Sequence, residues 1–213
     1  MRRKERYDYI LAYFRKEMPH VTTELEFGSV FQLLVATLLS AQCTDKRINR
    51  VTPALFKRYP NAKAMAEADE EQIFEYIRSV SYPNAKAAHL AEMARVIVRD
   101  FNGEVPDKPE DLMKLPGVGR KTANVMQAVA FGRPAMAVDT HVFRVSRRLG
   151  LVPLTADTPE KVEKELLKNI PVHDVASAHH WLLLHGRYVC KSRKPHCSEC
   201  HFADICPKKG VEG

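Results

Sequence analysis

Four of the five cysteines lie close together near the end of the chain, at Cys190, Cys197, Cys200 and Cys206. Four thiols on one short segment can bind a tetrahedral zinc ion or a cubane iron–sulfur cluster. Zinc ribbons usually use two short Cys-x-x-Cys pairs, whereas only the central pair here is that short. The spacing therefore favours an iron–sulfur cluster, with a zinc ion or two disulfides as the alternatives. The fifth cysteine, Cys43, is interpreted as a small buried hydrophobic residue.

A second segment suited to chemistry is the Leu-Pro-Gly-Val-Gly turn of residues 115–119, which leads into Arg120 and Lys121. The turn feeds the start of a helix, where backbone N–H groups bind phosphate. It is neither a Walker loop nor a dinucleotide fingerprint, because no strand precedes it and the glycine spacing differs. A lysine in the first helical turn opposes the helix dipole, and its neutral amine would be a usable nucleophile. From this segment alone, an exposed phosphate contact is the simpler interpretation of Lys121.

A candidate carboxylate, Asp139, directly precedes a helical pattern that begins at Thr140. Aspartate at this place is ordinarily an N-cap, and that interpretation is strong. The alternative is a carboxylate aimed at a reacting centre. The spacing alone does not say whether Asp139 faces Lys121, which lies 18 residues earlier.

Helices must position these groups, since apolar residues recur at helical spacing along most of the chain. The predicted helical segments are Tyr9–Lys16, Phe31–Leu39, Ile48–Tyr59, Ile73–Ile77, Leu90–Phe101, Leu112–Leu115, Val125–Val129, Val142–Leu149, Val162–Ile170 and Ala176–Tyr188. In the first of these, Tyr9, Ala12, Tyr13 and Lys16 follow the helical spacing. Pro116 is expected to end the helix before the glycine turn, and Thr158-Pro159 is a typical helix start. No period-2 run or hairpin signal is present, so the predicted class is all-α.

Composition narrows the possible functions. The 213 residues carry a formal net charge of +7 and 45% hydrophobic residues, which excludes disorder and favours, without proving, a polyanionic partner. Basic residues near the cysteines, Lys191 and Arg193 among them, could face phosphate. No apolar stretch approaches the roughly 20 residues of a membrane span. The charged start of the chain resembles neither a secretory signal nor a transit peptide, so we expect a cytoplasmic protein.

Together these segments resemble the endonuclease III family of base-excision DNA glycosylases. The resemblance extends roughly from residue 5 to 207, and each motif alone is less specific than their joint occurrence. The matching motifs are Leu38–Asp45, Asn102–Pro106, Leu115–Asn124, Ala137–Val145, His180–Arg187 and the four-cysteine spacing.

The resemblance implies two helical lobes with DNA bound across the cleft between them. One is a six-helix lobe of residues 22–132 with a helix-hairpin-helix at about 112–130. The other joins residues 1–21 to residues 133–213 and carries a 4Fe–4S cluster on the four clustered cysteines. The implied partner is damaged double-stranded DNA, with no membrane, and the expected state is a nucleoid-associated monomer.

The resemblance also implies a mechanism. Lys121 matches the family's nucleophile and Asp139 its essential carboxylate. The enzyme would flip an oxidised pyrimidine out of the duplex, release it, and cut 3′ to the abasic site by β-elimination through a lysine imine. The alternatives are a monofunctional adenine mismatch glycosylase, a non-catalytic iron–sulfur DNA-binding redox module and a zinc-binding structural protein.

Several segments are implied to contact DNA. The implied contact residues are Gln42, Tyr82, Gly117, Val118, Gly119, Arg120, His141, Lys191 and Arg193, and Ser40 and Asp45 could line the base pocket. Gln42 is expected to fill the gap left by the flipped base, although a polar helix end is a competing interpretation. Family members often have Gly-Leu-Tyr where this chain has Ser81-Tyr82-Pro83. Tyr82 could replace the leucine as a second wedge by stacking on a base.

Overall fold

The computed structural model describes residues 1–211, and within them all regular structure is helical. The chain divides into two compact units, one of residues 24–131 and one of residues 1–23 plus 132–213. The all-α prediction is therefore confirmed. No helix of the described residues is long and apolar enough to cross a membrane.

The unit of residues 24–131 holds seven described α-helices. They are α2 (Val30–Leu39), α3 (Asp45–Arg58), α4 (Ala62–Ala66), α5 (Glu70–Ile77), α6 (Pro83–Asp100), α7 (Pro109–Leu112) and α8 (Arg120–Val129). Eight of the ten residues of α2 are buried, so this helix is apolar on all sides and forms the centre of the core. Ile48 of α3, Ile73 of α5 and Leu90 of α6 belong to the same buried cluster.

The other unit combines the first helix with the last three α-helices described. They are α1 (Arg3–Glu17), α9 (Thr140–Arg148), α10 (Pro159–Asn169) and α11 (Val175–Tyr188), with short 3₁₀ helices at Val172–Asp174 and Cys197–Glu199. Phe14 of α1 stacks on Trp181 of α11, with ring centroids 5.7 Å apart. The Trp181 indole Nε1 also donates to the Met18 carbonyl at 2.8 Å. Aromatic packing and this hydrogen bond thus join the first helix to the C-terminal half of the chain.

Local sequence explains where five of the described α-helices begin. Ser29, Thr44, Asn61, Asp139 and Thr158 each accept a hydrogen bond from the backbone N–H three residues later. This bond satisfies a donor that the helix itself leaves without an acceptor. The predicted start at Thr158-Pro159 is confirmed.

Two details differ from the sequence-based prediction. Helix α1 buries Tyr7, Ile10, Leu11 and Phe14, whereas Tyr9 on the predicted stripe is exposed. The stripe followed helical spacing, but tertiary packing selected the neighbouring face. The helix before the glycine turn ends at Leu112 rather than at Pro116, because the chain tightens there into turns closed by bonds between residues three apart.

The buried face of α1 makes a direct prediction about stability. Ile10→Ala should lower the free energy of unfolding by about 2–5 kcal/mol, because the Ile10 side chain is buried and its removal leaves a cavity. Lys16→Ala is the matched control on the same helix, and it should change stability by less than about 0.5 kcal/mol. Denaturant titration of both variants measures the difference. Equal losses would contradict the observed packing face.

Candidate functional site

The glycine turn of residues 115–119 packs against the core of its own unit. Gly117 has a φ of +77°, and a Cβ built there would lie 2.9 Å from Cδ1 of Leu38 and 3.2 Å from Cβ of His89. Only glycine fits this combination of left-handed backbone and close approach. The turn therefore lies against the last turn of α2 and the side of α6.

Gly119 has a different environment. It is exposed, its φ of −96° is open to any residue, and a Cβ there would meet no atom within 4 Å. It is the N-cap of α8 and has no side chain with which to cap it, so the helix start presents backbone N–H groups outward. The exposed Arg120 is the first residue of that helix. The fold does not require a glycine at position 119, but close approach of a phosphate would.

Val118, between the two glycines, behaves differently from the interpretation drawn from its motif. Its side chain is buried, and its backbone N–H already donates to the Leu115 carbonyl at 3.0 Å. Val118 therefore holds the turn together, and its N–H does not serve as an outward donor in this structure.

Lys121 is the second residue of α8, and its side chain is exposed. An exposed primary amine beside an open helix start can reach a ligand whose phosphate lies on that helix start. The Lys121 amine is therefore accessible from solvent at the start of α8.

Two exposed turns of the same unit lie next to each other. The first carries Gln42, at φ 54°, and the second carries Tyr82, at φ 55° and 65% exposed. The Ser81 hydroxyl donates to the Gln42 carbonyl at 2.6 Å, which joins the two turns. Both proposed wedge residues therefore lie on one connected surface.

The candidate pocket residues flank the first of these turns. Ser40 is the C-cap of α2, and its hydroxyl donates to the Thr37 carbonyl at 2.8 Å. Asp45 is the first residue of α3 and is half-buried. The turn of residues 40–44 therefore connects two helix ends that carry polar side chains.

In the other unit, Asp139 is the N-cap of α9, and its Oδ1 accepts from the Val142 N–H at 2.7 Å. The capping interpretation is correct as geometry, but it uses only one of the two carboxylate oxygens. His141, two residues later, is half-buried, and its Nδ1 lies 3.2 Å from Nη2 of Arg144. One hydrogen bond therefore fixes the Asp139 carboxylate at the start of α9.

The four clustered cysteines line one pocket of this unit that is partly open to solvent. All four are unpaired, so the disulfide alternative is not observed. Burial raises the pKa of the Cys200 and Cys206 thiols, and the neighbouring thiols raise it further. A bound metal centre would reverse that shift, because a cation stabilises thiolate. Among residues 1–211, no group of three or more His, Cys, Asp and Glu side chains is arranged to hold one metal ion.

A buried arginine, Arg148, holds the cysteine segment in place. Its Nη1 donates to the Lys191 carbonyl at 2.6 Å and lies 3.7 Å from Cys190 Sγ, while its Nη2 donates to the Ser192 carbonyl at 3.0 Å. Its own carbonyl lies 3.2 Å from the Cys206 Sγ donor. Arg148 thus contacts both ends of the cysteine segment from the last turn of α9.

Further side chains support the segment. Arg144 Nε donates to the Cys190 carbonyl at 3.2 Å, and His185 Nε2 lies 3.8 Å from Cys200 Sγ. Burial lowers the pKa of His185 to about 4, so the imidazole is neutral at neutral pH. Lys191 and Arg193 are exposed on the outside of the segment, where phosphate could reach them.

Three supporting residues had no sequence signal: Lys86, Arg144 and Arg148. Arg144 and Arg148 lie within the predicted segment Val142–Leu149, where solvated charges are common, and Lys86 lies before the segment that begins at Leu90. The capping position of Asp139 was visible because it depends on residues three apart. By contrast, Lys86 contacts carbonyls 45 and 47 residues away, and Arg148 contacts carbonyls more than 40 residues away.

Comparisons with known proteins agree with this geometry. Residues 35–172 match the family described as HhH-GPD superfamily base excision DNA repair protein. The chain is 48% identical over 206 residues to Endonuclease III of Synechocystis sp. (strain ATCC 27184 / PCC 6803 / Kazusa), covering 96% of this chain and 93% of that protein. Endonuclease III of Escherichia coli (strain K12) is 46% identical over 200 residues, and the match covers 94% of each chain.

Solved structures give the same result. A trapped endonuclease III–DNA covalent intermediate matches with a TM-score of 0.92 and 42% identity, covering 98% of this chain and 97% of that one. A thermostable thymine-DNA glycosylase matches with a TM-score of 0.82 at 22% identity, a level at which the likeness concerns the fold alone.

The two glycines of the turn should respond differently to alanine. Gly117→Ala should lower the free energy of unfolding by about 2 kcal/mol or more, because it combines a left-handed φ with a clash against Leu38. Gly119→Ala should cost less than about 1 kcal/mol, the range of a changed N-cap. Thermal melting measures both.

The same pair separates folding from phosphate binding. Gly119→Ala should weaken binding to damaged and undamaged duplexes alike, since backbone phosphate contacts do not depend on the bases. A loss confined to one lesion would count against a phosphate contact at Gly119.

Proposed function

The chain belongs to the endonuclease III family, within the HhH-GPD superfamily of base excision DNA repair proteins, and we propose that Lys121 and Asp139 carry its chemistry. As a member of that family it is a DNA glycosylase and an abasic-site lyase. The observation that carries the residue assignment is the exposed Lys121 amine, one residue into a helix whose start is open to phosphate.

We propose that DNA is held first by its backbone. The outward N–H groups at Gly119 and the start of α8, together with the Arg120 guanidinium, bind a phosphate near the damaged nucleotide. Gly117 shapes the turn, and Val118 serves as its internal support. Lys191, Arg193 and His141 of the other unit are proposed as further DNA contacts.

Damaged bases must leave the stack before the sugar carbon C1′ can be attacked. Gln42 is proposed to fill the space left by the flipped base, and Tyr82 to stack on a neighbouring base. Their exposure and the hydrogen bond that joins their turns support the pairing. Ser40 and Asp45 are proposed to line the pocket that receives the flipped base.

The amine of Lys121 then attacks C1′, the bond between C1′ and the base nitrogen breaks, and the departing base takes up a proton from water. Asp139 accepts the proton that the attacking amine loses and stabilises the positive charge on the sugar. The C1′–O4′ bond then breaks, O4′ takes up a proton, and the protonated imine left between Lys121 and the opened sugar acidifies the C2′ hydrogen. Loss of that proton expels the 3′ phosphate by β-elimination, and hydrolysis of the imine frees Lys121.

Cys190, Cys197, Cys200 and Cys206 are proposed to hold a 4Fe–4S cluster. Four unpaired thiols line one pocket, and their sequence spacing, with only one short Cys-x-x-Cys pair, supports a cluster over a single zinc ion. When bound, the cluster would supply four metal–thiolate bonds that cross-link the segment between Cys190 and Cys206. Arg148, His185 and Arg144 already fix this segment from the adjoining helices.

The finer identity of the substrate is part of the proposal. We propose that the substrate is an oxidised pyrimidine in double-stranded DNA. The protein is proposed to act as a monomer that associates with the nucleoid. The unit of residues 24–131 is proposed as the helix-hairpin-helix lobe, and the other unit as the cluster lobe. The matches to endonuclease III over nearly the whole chain do not favour a monofunctional mismatch glycosylase or a redox module without catalysis.

Two substitutions test the catalytic roles. Lys121→Gln should abolish the covalent adduct that borohydride traps on abasic DNA, because no amine remains to form the imine. Binding to the same DNA should persist, since the phosphate contacts lie on the backbone. Asp139→Asn should slow base release by about 10²–10³-fold, the usual loss when a group that stabilises developing charge is removed.

Melting temperature provides the control for Asp139→Asn. Asparagine caps about as well as aspartate, so the bond from the Val142 N–H survives and the fold should keep its stability. Near-normal base release in a variant of unchanged stability would reject the catalytic role and leave Asp139 as a helix cap.

The cluster assignment is tested with two cysteine variants. Cys43→Ser should retain the full iron content and visible absorption, because Cys43 lies in the unit of residues 24–131 and does not line the cysteine cavity. Cys197→Ser should lose iron or fail to accumulate as folded protein. Zinc in place of iron after anaerobic purification would overturn the assignment.

A further inference from the structure

Three exposed residues of the unit of residues 24–131 have a left-handed backbone, which costs energy. Asn102, at φ 54°, follows the end of α6, whereas Gln42 and Tyr82, at φ 54° and 55°, lie on the two neighbouring turns described above. The left-handed region costs an L-residue roughly 1–2 kcal/mol. Such strain persists only where surrounding contacts enforce it, and it is concentrated at functional sites. The contacts that enforce it here can be named.

Gln42 and Tyr82 lie on turns that side chains join together. We call residues 40–43 and 79–82 the wedge turns. Ser81 Oγ donates to the Gln42 carbonyl at 2.6 Å, and Arg47 Nη1 donates to the Ser79 carbonyl at 3.0 Å. The first bond links one wedge turn to the other, and the second links α3 to the turn that carries Tyr82.

The side chain of Lys86 is hydrogen-bonded to the backbone at the first wedge turn. Only 6% of this residue is exposed, and its Nζ donates to the Leu39 carbonyl at 2.8 Å and to the Ala41 carbonyl at 2.7 Å. These carbonyls lie at the C-terminal end of α2, where the helix dipole favours a cation. Burial lowers the pKa of the ammonium group, as expected for a charge removed from water.

A lysine is a costly choice for this position if stability is its only purpose. Desolvating an ammonium group is unfavourable, and a methionine of similar length would pack in the same space without that cost. A methionine side chain, however, cannot donate hydrogen bonds to the carbonyls of Leu39 and Ala41. The lysine therefore fixes the path of the chain immediately before Gln42.

We propose that Lys86 is a positioning residue, which holds the wedge turn so that Gln42 is ready to enter the duplex before DNA arrives. The inference rests on the proposed wedge roles of Gln42 and Tyr82. A turn that is already ordered loses less conformational entropy on binding than a mobile turn would. The complex that contains the flipped base is therefore more stable. Ser81 carries the same constraint across to the Tyr82 turn.

The test compares Lys86→Met with a matched control, Arg95→Met. Arg95 is also on α6, and its Nη2 donates to the Ala68 carbonyl at 3.1 Å, away from the wedge turns. Lys86→Met should slow single-turnover base release from a duplex lesion by about tenfold or more, a usual result of misplaced groups. Binding to undamaged duplex should remain unchanged. Arg95→Met should leave both quantities unchanged.

A double variant separates positioning from general stability. If Lys86 acts through Gln42, then adding Lys86→Met to Gln42→Ala should cause no further loss of base release. If Lys86 only stabilises the fold, the two losses should multiply. Fluorescence of 2-aminopurine placed beside the lesion reports the unstacking step directly, and it should fall in Lys86→Met and in Gln42→Ala alike.

Ser81→Ala keeps the proposal falsifiable if Lys86→Met does not fold. It removes one bond from a half-buried hydroxyl, and it should lower base release and 2-aminopurine fluorescence while the melting temperature holds. Normal base release in Ser81→Ala, or in folded Lys86→Met, overturns the inference. If Gln42→Ala and Tyr82→Ala both release the base normally, the wedge roles fail first, and the positioning role fails with them.

Discussion

Helix ends leave backbone groups without partners, and the proposed site is built largely from such ends. The first N–H groups and the last carbonyls of an α-helix have no intrahelical partner, so each end must be completed by a side chain, water or a ligand. Helix α9 is completed by the carboxylate of Asp139, and α2 by the buried ammonium of Lys86. The N-cap of α8 is Gly119, which has no side chain to offer, and the proposed ligand of this helix start is a phosphate. The unsatisfied groups at helix ends therefore determine where Asp139 and Lys86 bind the backbone and where we propose that a phosphate binds.

In both units a buried cation donates hydrogen bonds to backbone carbonyls. Lys86 and Arg148 each place several donors on backbone carbonyls, so each fixes a path of the chain that has no regular structure of its own. Burying each cation has an unfavourable desolvation energy. In exchange, its hydrogen bonds hold the neighbouring turn in place. In the unit that contains α9, a helix of nine residues spans about 13 Å and carries Asp139 at its start and Arg148 at its end. The carboxylate and the cysteine segment are therefore fixed on the same rigid element.

Sequence reasoning succeeded where short-range rules decide the outcome. The all-α class, the start at Thr158 and the buried stripe of α2 follow from residues a few positions apart. It failed where distant contacts decide, as for the buried face of α1, which packing against Trp181 and its neighbours selects. Lys86 was missed for the same reason, since its acceptors lie 45 and 47 residues away. Lys86 lies four residues before the predicted segment that begins at Leu90, and nothing in its sequence neighbours indicates that it is buried.

The glycine turn shows why a motif does not assign a role to each of its residues. Gly117 is required by the fold, because its φ and its contact with Leu38 exclude a side chain. Val118 is required by the turn, because its N–H and its side chain are both used internally. Gly119 meets neither requirement, because a Cβ there would contact no atom within 4 Å. It is therefore the residue of the motif whose open surroundings leave room for a ligand. A residue that the fold would let vary, placed at an uncapped helix start, is better evidence for binding than the glycines counted together.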